Sequence, residues 1–158
     1  MQVNQQYVNP EFHKLLLADP GFRAVLERIG HGGETRVTGL KGSSKALLIA
    51  ALHGLTRRTV VVLCAGLDEA GALAQDAAFF AGGDAVLLMP PWDLMLPDTL
   101  SSQKDVERER IRVLCTLIER KPAVVVIPRA ALLQKVVPRD AVRGFMAPVS
   151  IGDTIDRD

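Results

Sequence analysis

Four short runs rich in β-branched residues constrain this chain more than any other feature: Thr35 to Leu40 (TRVTGL), Thr59 to Ala65 (TVVVLCA), Ala85 to Met89 (AVLLM) and Ala123 to Ile127 (AVVVI). Three of the four are apolar throughout rather than alternating, the pattern of strands covered on both faces in a parallel sheet. Helical patterns lie between them. Ser43 to Gly54 opens on capping serines and closes on glycine. Asp68 to Phe80 starts with acidic cap residues and lines up Ala70, Leu73, Ala74, Ala77 and Ala78 on one face. Ser102 to Arg120 carries Val106, Arg110, Val113, Cys115, Leu117 and Ile118 amid charges, with an apolar stripe that strengthens toward its C-terminal half. Strands alternating with helices at this spacing predict right-handed crossovers around a mostly parallel sheet with helices on both faces, a three-layer α/β fold.

Two short helices, Glu11 to Ala18 and Gly21 to Ile29, precede this pattern and are split by Asp19-Pro20-Gly21. They are expected to pack on the sheet. The chain therefore divides into a helical lead-in over 1–33, an α/β domain over 34–148, and a stretch over 149–158 (VSIGDTIDRD) that starts like a new strand and turn and then stops, as if a following domain were cut short. A length of 158 residues suits one domain that buries roughly two-thirds of its unfolded surface.

Charge narrows the partners little. Nineteen basic and 18 acidic residues leave a net charge of +1, so no overall basic field argues for nucleic acid. The polar N-terminus lacks the basic start and apolar stretch of a signal peptide, and no apolar run approaches the roughly 20 residues of a membrane helix. A cytoplasmic protein without a membrane partner is expected. Cys64 and Cys115 lie inside apolar runs, as buried free thiols do, and lack the close spacing of zinc ligands.

The sharpest local motif is Val37-Thr38-Gly39-Leu40-Lys41-Gly42-Ser43-Ser44-Lys45-Ala46, placed after the first predicted strand and opening the first crossover helix. A phosphate-binding loop belongs there, because backbone N–H groups and the helix N-terminus point at an anion. That motif needs Gly, four residues, then Gly-Lys-Ser/Thr. Gly39 and Lys45 are on register, Gly42 and Ser43 fill the loop, Ser44 replaces the glycine, and Ala46 replaces the hydroxyl. The missing glycine adds a Cβ where the backbone should approach phosphate, and alanine cannot ligate Mg²⁺. No acidic residue ends a later predicted strand, where a Walker-B carboxylate would stand; Asp68 and Glu69 suit a helix cap better. The expectation is a relic loop, with no catalytic residue, no metal, and no ATP as cofactor.

Other candidates are weaker. His13, His31 and His53 fall in separate elements with no ligand partner at i+3 or i+4. There is no Gly-x-Ser-x-Gly elbow and no carboxylate pair suited to glycoside chemistry. Met89 to Asp98, with three prolines and the sole tryptophan, reads as a stiff connection around a buried Trp92, with an interaction surface as the rival. Lys104 to Arg112 (KDVERERIR) alternates in sign, as a solvated, salt-bridged helix surface does.

Taken in order, VTGLKGSSKALL, the TVVVLCA strand, PPWD…LPD..LSS, ERERIRVL and VVVIPRAALLQKVVP resemble the N-terminal module of bacterial transcription-repair coupling factors (Mfd) and, more distantly, the related excision-repair protein UvrB. The likeness runs from about Glu34 to the C-terminus. UvrB has an intact phosphate loop and a long aromatic-rich hairpin that clamps DNA; here the loop is degenerate and Pro90 to Ser101 is short, which favours the coupling factor. The chain departs from the family at Leu96 and Pro97, where Pro-Tyr is common, and at Ser102, where Pro is common. The resemblance implies a UvrB domain 1a-like, helicase-related fold. It also implies a non-catalytic scaffold role in transcription-coupled DNA repair: recruiting UvrA, and holding the full-length protein repressed. UvrA would contact a following domain that begins near Val149, while RNA polymerase and DNA would be reached only through the full-length protein. Two readings stay open beside it: a nucleotide-binding lobe of a P-loop ATPase or helicase, and a UvrB-like DNA-binding module.

Overall fold

The computed structural model describes residues 16–92 and 103–145. In chain order they form α1 (Pro20–His31), α2 (Ser44–Thr56), β1 (Val60–Cys64), α3 (Leu67–Ala81), a 3-10 turn (Gly83–Ala85), β2 (Val86–Leu88), α4 (Gln103–Ile118), β3 (Val124–Pro128), and short α5 (Arg129–Leu132) and α6 (Arg139–Phe145). The three strands are parallel in the order β1-β3-β2, with Val60 and Val86 both in register with Val124. β3 is central, and Val124, Val125 and Val126 are completely buried. That explains why its sequence is apolar without alternation.

Helices cover both faces, giving the three-layer α/β fold. On one side α2 and α3 pack against Val86, Val124 and Val126 through Ala46 and Ala50 of α2 and Ala70, Ala74, Ala77 and Ala81 of α3. On the other, Val113 of α4 and Ala131 of α5 meet Leu87, Val125 and Ile127. The alanines matter physically. A side chain of one carbon lets two helices and a sheet approach closely, at the cost of leaving no room for growth.

Several expectations are corrected. Thr35–Leu40 forms no strand; residues 32–41 lack regular structure apart from one bend. A strand exists only by pairing, and this run has Arg36 and Thr38 where its rivals are apolar, and carries Gly39 at a positive φ of 84°. α2 does not close on Gly54 but runs to Thr56, where Arg57 turns left-handed at φ 53° and its N–H reaches the His53 carbonyl. The cap of α3 is Gly66, not an acid. Glu69 nevertheless serves the helix start, because its carboxylate accepts from the Ala65 N–H at 3.2 Å. α1 begins at Pro20, so Asp19-Pro20 starts a helix rather than merely splitting two. It lies beside α2 rather than on the sheet: Phe22 and Val25 share an apolar cavity of about 320 Å³ with Leu47 and Leu48.

Asp19 caps α1, its Oδ1 accepting from the Phe22 N–H at 2.7 Å. Replacing Asp19 with alanine is expected to cost about 1 kcal/mol, read as a lowered urea midpoint with unchanged slope. An unchanged midpoint would show that α1 adds nothing to the cooperative unit. The residues proposed for the start of a following domain, 149–158, and most of the helix Glu11 to Ala18 lie outside the described residues.

Candidate functional site

The loop from Gly39 to Ala46 is built by two left-handed glycines, Gly39 at φ 84° and Gly42 at φ 53°. These conformations penalise any residue with a Cβ. Ser43 is the N-cap of α2 with helical φ and ψ, and its side chain makes no capping bond. Ser44 turns inward on the loop: its hydroxyl donates to the Lys41 carbonyl at 2.7 Å, and its own N–H reaches the same oxygen at 3.2 Å. A helix N-terminus needs partners for its first N–H groups, and here the loop supplies one of them.

Lys45 points into solvent, while Ala46 is completely buried in the alanine seam with Ala50 and Cys64. The sequence shows only that a hydroxyl is missing at position 46. The structure adds that the position is core. Lys45 and Glu69 both act on Cys64 at the end of β1. Burial chiefly pushes the Cys64 thiol up, the Glu69 carboxylate adds to this, and the Lys45 ammonium pulls the other way. The strand ends are Cys64, Leu88 and Pro128, and none is acidic.

A second constellation sits at the carboxyl edge of the sheet, where parallel α/β proteins place ligands. Arg110 of α4, read from sequence as part of a charged helix, is only 2% exposed. Its Nη1 donates to the Pro90 carbonyl at 2.7 Å and to Gln134 Oε1 at 3.3 Å. Its guanidinium carbon lies 4.6 Å from the centre of the Trp92 ring, within cation–π range. Gln134 Oε1 also accepts from the Trp92 N–H at 2.9 Å. Among the described residues Nη2 is buried without a hydrogen-bond partner, and burial lowers the guanidinium pKa from its ordinary value.

Two readings change here. Trp92 is 39% exposed rather than buried, its ring lying over Arg110 rather than in the core; the rest of the loop, 93–102, lies outside the described residues. The charged run is indeed salt-bridged at the surface, with Asp105 to Arg108 at 3.0 Å and Glu109 to Arg112 at 3.9 Å. Arg110 is its exception. The sequence carried one signal for it, since Arg110 stands four residues after buried Val106 and three before buried Val113.

The remaining candidates stay dispersed. His31 hydrogen-bonds the Glu27 carbonyl at 2.7 Å, and buried His53 the Arg58 carbonyl at 3.1 Å; His13 lies outside the described residues. Cys64 is buried and Cys115 half-buried, both as free thiols. No helix among the described residues is long and apolar enough to cross a membrane.

The fold thus defines a class first: a three-layer α/β protein with a parallel sheet, in which a turn with two left-handed glycines leads into the helix before the first strand. The chain is 37% identical over 145 residues to the transcription-repair-coupling factor of Myxococcus xanthus, a match that covers 87% of this chain and 12% of that protein. It is 24% identical over 144 residues to the factor of Staphylococcus aureus strain USA300, covering 91% and 12%. It is also 24% identical over 140 residues to that of Staphylococcus haemolyticus strain JCSC1435, covering 89% and 12%. Over most of its length the chain is a homologue of the transcription-repair-coupling factors, of which it spans about an eighth. No family model matches it, and neither does any solved structure.

Proposed function

We propose that this chain is a non-catalytic scaffold layer of a transcription-repair-coupling factor, acting in transcription-coupled DNA repair in the cytoplasm. In this reading it supports recruitment of UvrA through a following domain, and helps hold the whole protein repressed. RNA polymerase and DNA are engaged by other parts of that protein. The homology over 145 residues carries the repair role. The non-catalytic reading rests on the loop: Ser44 bonds back onto Lys41, and Ala46 is sealed in the core.

For the nucleotide, calorimetry of the chain with Mg-ATP is expected to show no binding at micromolar concentrations. Nanomolar to micromolar affinity would restore the ATPase reading. Rebuilding the motif with Ser44→Gly and Ala46→Thr is expected to lower stability by about 1–3 kcal/mol through overpacking at position 46, and to gain no hydrolysis. A parent chain that already binds Mg-ATP as well as the double variant would overturn the relic. For the repair role, this chain put in place of the matched segment of the Myxococcus xanthus factor is expected to retain repair of transcribed strands. A hybrid that is intact, present at normal levels and inactive would defeat the proposal.

A further inference from the structure

From Arg129 to Arg139 the chain carries three cations, Arg129, Lys135 and Arg139, and no acid, within a protein of net charge +1. The same stretch exposes large aliphatic side chains: Leu133 is 79% exposed, Leu132 54%, Val136 50% and Val137 44%. Scattered exposed leucines are ordinary, whereas a contiguous set is the mark of a surface that meets something.

The fold sets the end of this stretch, Val136 to Arg139, along a groove. After β3 and α5 the chain doubles back beside α4. Gln134 meets Arg110 midway along that helix. Val136, Val137 and Arg139 then line a groove of about 360 Å³ with Leu114, Leu117 and Arg120 at the helix's end. Leu117 is itself 37% exposed. Among the described residues none of Arg120, Lys135 and Arg139 forms an ion pair. An apolar floor rimmed by unpaired cations suits an amphipathic helix that is apolar on one face and acidic on the other.

We propose that this groove docks an acidic, leucine-bearing helix of a partner protein, with about two turns in contact to match Leu114 to Arg120 along its wall. Nucleic acid fits the surface less well. The floor is aliphatic, with no aromatic ring on which a base would stack, and burying phosphates against it would strand charge on apolar surface. The proposal uses only this chain's own surface, and stands whether or not the Gly39 loop takes nucleotide.

The test titrates the full 158-residue chain into a fluorescein-labelled peptide of about 16 residues, with leucines at i, i+3, i+4 and i+7 and glutamates elsewhere. Saturable binding is expected, with amide NMR shifts concentrated at Leu117 and Val137. The pair Lys135→Glu and Arg139→Glu is expected to weaken binding about tenfold, and Val136→Ser with Val137→Ser to weaken it similarly, both with an unchanged melting temperature because all four positions are exposed. Absence of saturable binding, equal binding of a lysine-for-glutamate peptide, shifts centred elsewhere, or displacement of the peptide by duplex DNA would each overturn the proposal.

Discussion

Replacing Arg110 with alanine is expected to destabilise the protein by about 3 kcal/mol and lower its melting temperature by about 10 °C. The charged hydrogen bond to the Pro90 carbonyl is worth about 1.5–3 kcal/mol. The stack on Trp92 adds about 1 kcal/mol, and loss of the aliphatic stem leaves a void beneath the carboxyl edge. Against these stands the relief of no longer burying a cation whose Nη2 has no hydrogen-bond partner among the described residues. The first set wins because removing the guanidinium strands the Pro90 carbonyl without a donor. Arg110→Met separates the two contributions, since it keeps the stem and discards the charge; because the hydrogen bond to Pro90 and the stack on Trp92 go with the guanidinium, its loss should be more than half that of alanine. Trp92 is the sole tryptophan, so its emission reports directly on the stack and should shift to longer wavelength in both variants. An alanine variant within about 2 °C of the parent, with unshifted emission, would show that the Arg110 contacts contribute nothing.

Ala50→Leu is expected to cost about 3 kcal/mol, in this case from crowding rather than loss. Ala50 is completely buried where α2 meets α3 and the sheet, in a seam in which Ala46, Ala70, Ala77 and Ala81 are also at 0% exposure. A larger side chain there must push two helices apart or force itself off-rotamer, and a close-packed interior has no slack for either. Ala72→Leu is the matched control. It makes the same chemical change on the exposed face of α3, and leucine and alanine differ little in helix propensity, so its effect should stay within about 0.5 kcal/mol. Equal effects from the two changes, measured by urea unfolding, would mean that the seam is looser than the packing implies.

Much of the fold was legible because its signals are local or nearly so. Three runs with no polar break became the three strands, since a strand buried on both faces must be apolar on both. The alanine face of α3 was visible as a helical period in Asp68 to Phe80. The loop at Gly39 to Ala46 was legible as a motif, and its glycines take the left-handed turns their lack of a Cβ allows. Thr35 to Leu40 misled because propensity was read as pairing. Arg110 misled because a charge within ERERIR looks solvated unless its phase against Val106 and Val113 is given more weight than its chemistry.

The sequence by itself determined the class of fold, the three strands that form the sheet, and the kinship to coupling factors. Periodicity and motif spacing are properties of neighbours along the chain, so they survive without coordinates. Only the tertiary structure decided that Ala46 belongs to the core, that Arg110 is buried over Pro90 and under Trp92, and that Val136 and Val137 face α4 across an open groove. Each of those depends on residues brought together from distant parts of the chain, and burial is a property of that assembly rather than of any residue type.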